Sequence, residues 1–202
     1  MRRVFAEIHQ GRTWGDCESI SGPGSTRARA ATFLPDLVAL VRSLEGHTLL
    51  DVPCGDFNWA APLADSVGCY IGVDVVPALI EANHRQHASA NRRFLCRDLV
   101  RQRLPKADIV LCRDALVHFS QADIMAAIAN LRRTGAAFLI ATTFVGDRAN
   151  ADIGTGEWRP LNLQRPPFSF PSPLALVDER CQHTDGIYSD KRLGLWRFSD
   201  LP

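Results

Sequence analysis

Thr48-Leu49-Leu50-Asp51-Val52-Pro53-Cys54-Gly55-Asp56-Phe57-Asn58-Trp59 is the stretch that decides the fold. It opens as a short, unbroken apolar run, ends that run in an acid, and passes into a loop built around one glycine. Cys69-Tyr70-Ile71-Gly72-Val73-Asp74 repeats the pattern, again closing on an acid. Arg93-Phe94-Leu95-Cys96 is a third such run, with Asp98 just after it, and Asp108-Ile109-Val110-Leu111-Cys112 is a fourth, leading into Arg113-Asp114. Ala136-Ala137-Phe138-Leu139-Ile140-Ala141 is a fifth. Runs that are continuously apolar, rather than alternating, belong to strands buried on both faces, as in a parallel sheet covered by helices.

The segments between these runs read as helices. Pro77 opens one that extends to about His87. Ser120 and Asp123 form a capping box before Ile124, Met125, Ile128 and Leu131, and Gly135 stops the helix. Upstream, Ser25 or Thr26 caps a helix carrying Leu34, Leu37, Val38, Val41 and Leu44 at helical spacing, with Gly46 as its end. Pro35 within that pattern kinks the helix or begins a second one. Residues 1–25 are punctuated by Gly11, Gly15, Gly22, Pro23 and Gly24 and read as irregular. Residues 144–173 hold five prolines (Pro160, Pro166, Pro167, Pro171 and Pro173) and no helical or strand period, the mark of a functional cover or a linker. Two apolar segments, Leu174–Val177 and Leu193–Phe198, return to strand character, so the loop lies within one domain. His183 and Asp185 read as part of a hydrated turn before the last strand.

Composition sets the class. The chain has 202 residues, 46% hydrophobic and 22% charged, which suits one soluble globular domain. Lys and Arg number 23 against 22 Asp and Glu, a net charge of +1, so no broad nucleic-acid footprint is expected. No apolar run approaches the ~18 residues of a membrane span. Met1-Arg2-Arg3-Val4-Phe5-Ala6 starts like a secretion signal, but Glu7, His9 and Arg12 interrupt it. The six cysteines (Cys17, Cys54, Cys69, Cys96, Cys112 and Cys181) contain no CxxC pair. They read as reduced core thiols in a cytoplasmic protein, with no metal site.

In an open parallel sheet the ligand crevice lies beyond the carboxyl ends of the strands, where strand order reverses. Asp74 there is placed to accept hydrogen bonds from both hydroxyls of a ribose, and Asp98 can accept from an exocyclic adenine amine. Gly55 lets backbone approach a ligand closely. A nicotinamide cofactor would require G-x-G-x-x-G for its pyrophosphate, and Pro53 and Asp56 break that pattern.

These residues resemble those of class I S-adenosylmethionine-dependent methyltransferases, over residues 26–142 and again over 174–200. The family's loop DxGxGxG stands here as Asp51-x-Pro53-x-Gly55-x-Phe57, keeping only the central glycine. Ser21-Gly22-Pro23-Gly24-Ser25, Asp51–Trp59 and Gly156-Glu157-Trp158-Arg159-Pro160-Leu161-Asn162 are similar to a bacterial subgroup without a defined substrate. The resemblance implies an α/β, Rossmann-like three-layer sandwich on a mostly parallel seven-stranded sheet of order 3-2-1-4-5-7-6. It implies one domain: an N-terminal lid and helix (1–46), a cofactor-binding core (47–142), a substrate-covering loop (143–173) and C-terminal strands (174–202). S-adenosylmethionine would be held by Asp51, Pro53, Cys54, Gly55, Asp74, Val75, Asp98, Leu99, Cys112 and Arg113.

Methyl transfer needs a base only when the acceptor has a proton to lose. Cys112-Arg113-Asp114-Ala115-Leu116-Val117-His118-Phe119 leaves the fourth strand over the expected methyl position. As one helical turn it would put Asp114 and His118 on one face, making them the candidate catalytic pair. The segment lacks the [DN]-P-P-[YF] sequence common in enzymes of the family that methylate base or amide nitrogens. The expected acceptor is therefore a small molecule or glycan-type metabolite, more readily at oxygen, and not nucleic acid. Trp14, Trp158, Arg159 and Asn162 are the candidate substrate contacts, with Phe168 and Phe170 as further walls. A protein or peptide acceptor would need an open groove instead, and a non-catalytic binding module would lack an acceptor cavity at His118.

Overall fold

The structure is a computed structural model that describes residues 1–181 and 186–202. His183 and Asp185 lie outside the described residues. Seven strands form one sheet: β1 (Thr48–Asp51), β2 (Cys69–Asp74), β3 (Arg92–Cys96), β4 (Ile109–Cys112), β5 (Phe138–Phe144), β6 (Ala175–Asp178) and β7 (Lys191–Arg197). Their order is β3-β2-β1-β4-β5-β7-β6. β1 to β5 pair in parallel, and β7 runs antiparallel to both β5 and β6. The order reverses between β1 and β4, which places the crevice where Asp51 and Cys112 end their strands. β4 is buried along its whole length and β2 at every residue but Cys69, as expected of strands covered on both faces.

Two apolar layers cover the sheet. On one face Phe33, Leu37 and Val41 pack with Leu63, Ile80 and Phe94. Phe94 stands on β3, and the others come from α3 (Leu34–Ser43), α4 (Ala61–Ala64), α5 (Pro77–His87) and the turn before α3. On the other face α6 (Gln121–Arg132) contributes Ile124, Ala127, Ile128 and Leu131, beside Leu161 and Leu163 from the long loop. The Ser120 hydroxyl caps α6 by accepting from the Asp123 amide. Thr26 caps the short α2 (Arg27–Ala30), and Pro35 sits in the first turn of α3, so the single pattern seen in sequence is two helices.

The structure corrects three expectations. Residues 2–10 form a helix, α1 (Arg2–Gln10), where glycine punctuation suggests irregular chain. Met1, Val4, Phe5 and Ile8 share one face of it, and Val4 packs where a side chain on Gly156 would stand. Phe168 and Phe170 belong to the core rather than to a pocket wall, with Phe170 edge-on to Trp196 at 5.5 Å. Of the cysteines, all free, only Cys54 and Cys112 are buried, and Cys17 is exposed.

The loop 145–174 has no regular element, yet its own side chains bind it. Asn150 donates to the carbonyls of Asn162, Arg165 and Pro166, and Arg148 pairs with Asp190 through two nitrogens. Among the described residues no helix is long and apolar enough to cross a membrane.

One buried ion pair spans the sheet's carboxyl edge. Arg113, after β4, reaches Glu179, after β6, at 2.7 Å, and both side chains are about 95% shielded. Removing Glu179 takes away the nearest partner of a buried guanidinium and leaves it only Asp114, at 3.3 Å, as a counter-charge. Glu179→Ala is expected to lower stability by about 3–5 kcal/mol, read as a fall in the urea midpoint with an unchanged slope.

Candidate functional site

A cavity of about 700 Å³ opens over the carboxyl edge of the sheet. That is within the range of roughly 300–1,000 Å³ usual for small-molecule sites. Its β1–β3 side is lined by Pro53, Cys54, Gly55, Asp74, Val75 and Leu99. Its β4–β7 side is lined by Arg113, Asp114, His118, Trp158, Tyr188 and Lys191. α1 and the turn after it add Met1, Phe5, Ile8 and Trp14 as a roof.

The loop after β1 keeps a glycine-loop conformation with few glycines. Gly55 has φ +54°, and a Cβ there would lie 2.4 Å from the Ser21 hydroxyl, so both backbone and space require glycine. Phe57 also has positive φ, at +56°, at the position where the family pattern has its last glycine. Such a conformation costs a bulky residue. The Phe57 ring offsets that by packing edge-on against Tyr70 and Phe94 at 5.3 and 5.2 Å. Asp56, also on the cavity wall, has its carboxylate engaged by the N-terminal segment. It accepts from the Ser19 and Ser21 hydroxyls and from the Ile20 amide, which fastens the Ser19–Ser25 segment over the loop.

Asp74 ends β2 on the cavity wall. Its carboxylate accepts from the Val76 and Gly55 amides at 2.9 and 3.2 Å. Burial pushes its pKa up to about 6, against those amide bonds. Asp51 does not line the cavity. It is buried beneath the loop, takes a hydrogen bond of 2.5 Å from the Tyr70 hydroxyl, and is raised to about 7 by burial. Asp98 also stays off the wall, while its neighbours Arg97 and Leu99 reach it. The Asp98 carboxylate caps a turn by accepting from the Val100 and Arg101 amides. Cys112 is wholly buried below the cavity floor.

On the β4 side a charged cluster replaces the expected helical turn. Asp114 has φ +52°, so the chain turns left-handed before a short 3-10 turn, Leu116–His118. Asp114 and His118 therefore do not share a hydrogen bond. The Lys191 ammonium contacts both Asp114 oxygens at 2.7 and 2.8 Å, and Thr142 holds the Asp114 backbone amide. Burial alone would raise the Asp114 carboxyl, but Lys191 and Arg113 hold it well below the usual carboxylate range. Arg113 also donates to the Gly24 carbonyl and lies over the rings of Phe33 and Trp59 at 4.6 and 5.3 Å. Glu179, Lys191 and Tyr188 escape the motif reading. The register of β7 could have found Lys191, because an antiparallel strand brings its first residue to this edge, opposite Phe144.

His118 stacks against Trp14 with centroids 4.1 Å apart. Its Nδ1 is 2.9 Å from the Glu157 carbonyl. A carbonyl can only accept, so Nδ1 carries the proton and Nε2 keeps its lone pair. Burial lowers the His118 pKa, outweighing the Glu157 contact and Asp114. Trp14 and Trp158 stand on the cavity wall as the sequence suggests, and Arg159 and Asn162 do not. Arg159 spends its guanidinium on four backbone carbonyls, and Asn162 bonds Gly146 and Gln164 within its own loop.

Residues 49–135 match the family described as a methyltransferase domain. Among solved structures, the N-methyltransferase NodS from Bradyrhizobium japonicum WM9 aligns with a TM-score of 0.58 at 15% identity, covering 82% of this chain and 96% of that one. The magnesium protoporphyrin IX methyltransferase of Synechocystis PCC 6803 with bound SAM aligns at 0.54 and 18% identity, over 75% and 79% of the two chains. The PH0226 protein of Pyrococcus horikoshii OT3 aligns at 0.51 and 23% identity, over 59% and 62%. These likenesses establish a shared fold. No curated protein matches the chain. The segment 49–135 thus matches a methyltransferase domain, and its fold is that of a methyltransferase solved with S-adenosylmethionine bound.

The donor set on the β2 side suits that molecule: a carboxylate preset by two amides for hydroxyls, and no phosphate cradle. If Asp74 holds the ribose, Asp74→Ala removes two hydrogen bonds to a charged acceptor, each worth about 1.5–3 kcal/mol. Isothermal titration should show affinity at least ~30-fold weaker. Asp74 also sets a pH dependence. Its folded pKa lies above the unfolded value, so the folded state binds the proton more tightly. Stability therefore falls as pH rises from about 4 through about 6. Thermal melts of Asp74→Asn should show a shallower slope over that range, with Asp51, raised to about 7, keeping its own share.

Proposed function

We propose that the protein transfers a methyl group from S-adenosylmethionine to a hydroxyl of a small-molecule or glycan-type acceptor, with His118 as general base. The observation that carries this reading is the bare Nε2 of His118 on the cavity wall, fixed by the Nδ1 bond to the Glu157 carbonyl. The lowered pKa keeps the ring neutral at pH 7, ready to take a proton.

In this reading Asp74, Gly55 and the wall from Pro53 to Leu99 hold the cofactor, with Asp51 and Asp98 shaping the loops beneath. When bound, the cofactor supplies an electrophilic methyl group on a sulfonium. His118 Nε2 removes the acceptor's hydroxyl proton as the oxygen becomes nucleophilic. Asp114, held ionised by Lys191, is too weak a base for that task. Its side chain is 28% exposed, so it can accept from a neighbouring hydroxyl of the acceptor and orient it. Trp158, 42% exposed and edge-on to Tyr188 at 5.0 Å, offers a flat apolar face at the mouth for a sugar ring or similar body. The roof of α1 and Trp14 leaves a pocket rather than an open groove, which favours a compact acceptor over a polypeptide. The cytoplasm is the compartment this reading assigns, and the six free thiols support it.

The test is methyl release from labelled cofactor, with an extract of small metabolites and a panel of methyl glycosides as acceptors. His118→Ala should lower turnover by ~100-fold or more while cofactor affinity stays near wild type. The wild-type rate should fall at acid pH with a midpoint below histidine's ordinary value, and the variant should lose that limb. Full turnover in His118→Ala would leave alignment alone as the source of catalysis. Cofactor binding without release to any acceptor would favour a binding module.

A further inference from the structure

The carbonyls of Val117, His118 and Phe119 are the free end of a 3-10 turn, groups that must find donors when buried, while that of Leu116 already accepts the Phe119 amide at 3.2 Å and has room for a second donor. All four find them in one short stretch of the long loop. Gly156 donates its amide to the His118 carbonyl at 2.8 Å. The Arg159 amide donates to Val117 at 3.1 Å. The Arg159 guanidinium adds Leu116 at 3.0 Å, Val117 at 2.9 Å and Phe119 at 2.8 Å, and reaches Ala151 with its Nε at 3.1 Å. Arg159 is 6% exposed, and among the described residues no carboxylate pairs with it within 4.0 Å. A buried cation satisfied only by carbonyls is costly to keep, and the fan of a guanidinium is the side-chain geometry that can serve several carbonyls at once. Between Gly156 and Arg159 lies Glu157, whose carbonyl receives the His118 Nδ1 proton.

We propose that Arg159 is a positioning residue for the methyl-transfer reaction: it locks the Leu116–Phe119 turn to the Gly156–Arg159 stretch, and so registers the Glu157 carbonyl against His118 Nδ1. That registration selects the tautomer with Nε2 bare toward the cavity. A free imidazole in water prefers the opposite tautomer, with the proton on Nε2, so a loosened turn would present a donor where the reaction needs an acceptor. The inference rests on the reading of His118 as the base, but the state of the ring can be measured without any acceptor.

The experiment is nitrogen-15 NMR of the histidine side chains in the full chain, wild type and Arg159→Lys, with Arg159→Gln as a second variant. His118→Ala identifies the resonances. In wild type the shifts should show the Nδ1-protonated tautomer as the main neutral form. In either folded variant the ratio should move toward Nε2 protonation by roughly tenfold, which is about 1.4 kcal/mol. Cofactor affinity by titration should stay within about threefold. Wild-type shifts showing protonated Nε2 would overturn the proposal with no variant at all. Unchanged His118 shifts in a folded variant would reduce Arg159 to a loop anchor. If instead His118→Ala retains turnover, the functional reading falls while the tautomer result stands, so the two failures are distinct.

Discussion

The guanidinium of Arg113 is the contact on which the rest of the cleft depends. It is buried between Phe33 and Trp59, and it binds Glu179, the Gly24 carbonyl and the edge of Asp114. Those partners come from β4, from the end of β6 and from the N-terminal segment, three parts far apart in sequence. A charge placed there must be matched, because desolvation is repaid only by well-aligned partners. Meeting that demand closes the carboxyl edge of the sheet around a cavity. Lys191 then balances Asp114 and Glu179, so the cluster holds two positive and two negative side chains.

The cavity wall divides its chemistry accordingly. Toward β2 the polar groups are acids and amides preset for hydroxyls. Toward β7 they are one imidazole and a carboxylate locked by Arg113 and Lys191, within a frame of aromatic rings. The rings of Trp14, Phe5 and Phe119 cover the imidazole of His118 from above, with Phe5 5.7 and 5.8 Å from the other two, and a covered imidazole is kept dry and uncharged.

Much of this was legible in the chain because parallel strands carry a simple rule. Each ends on the functional edge, so Asp51, Asp74 and Cys112-Arg113-Asp114 could be placed there from apolar runs alone. The rule fails for β7, which runs the other way and contributes its first residue, Lys191. It also says nothing about which acid faces the cavity. Asp74 does, whereas Asp51 turns to Tyr70 and Asp98 to backbone amides. Arg159 beside Trp158 suggests anion recognition by residue type. Its real partners are carbonyls of a turn forty residues upstream, which no local pattern displays. In α1 the helical spacing of Met1, Val4, Phe5 and Ile8 is present, but the glycines that follow dominate the reading.

The antiparallel insertion of β7 between β5 and β6 has a consequence for biosynthesis. As the chain leaves the ribosome, β1 to β5 can pair in order, together with the helices between them. The outer edge of β5 then stays open until the whole loop, β6 and finally Lys191–Arg197 have emerged. An open apolar edge is a hazard for wrong pairing. The same delay leaves Arg113 and Asp114 without Glu179 and Lys191. A nascent chain halted before β7 would hold the β1–β3 wall of the cleft, while the opposite wall would still lack Lys191 and the charge balance it gives Asp114.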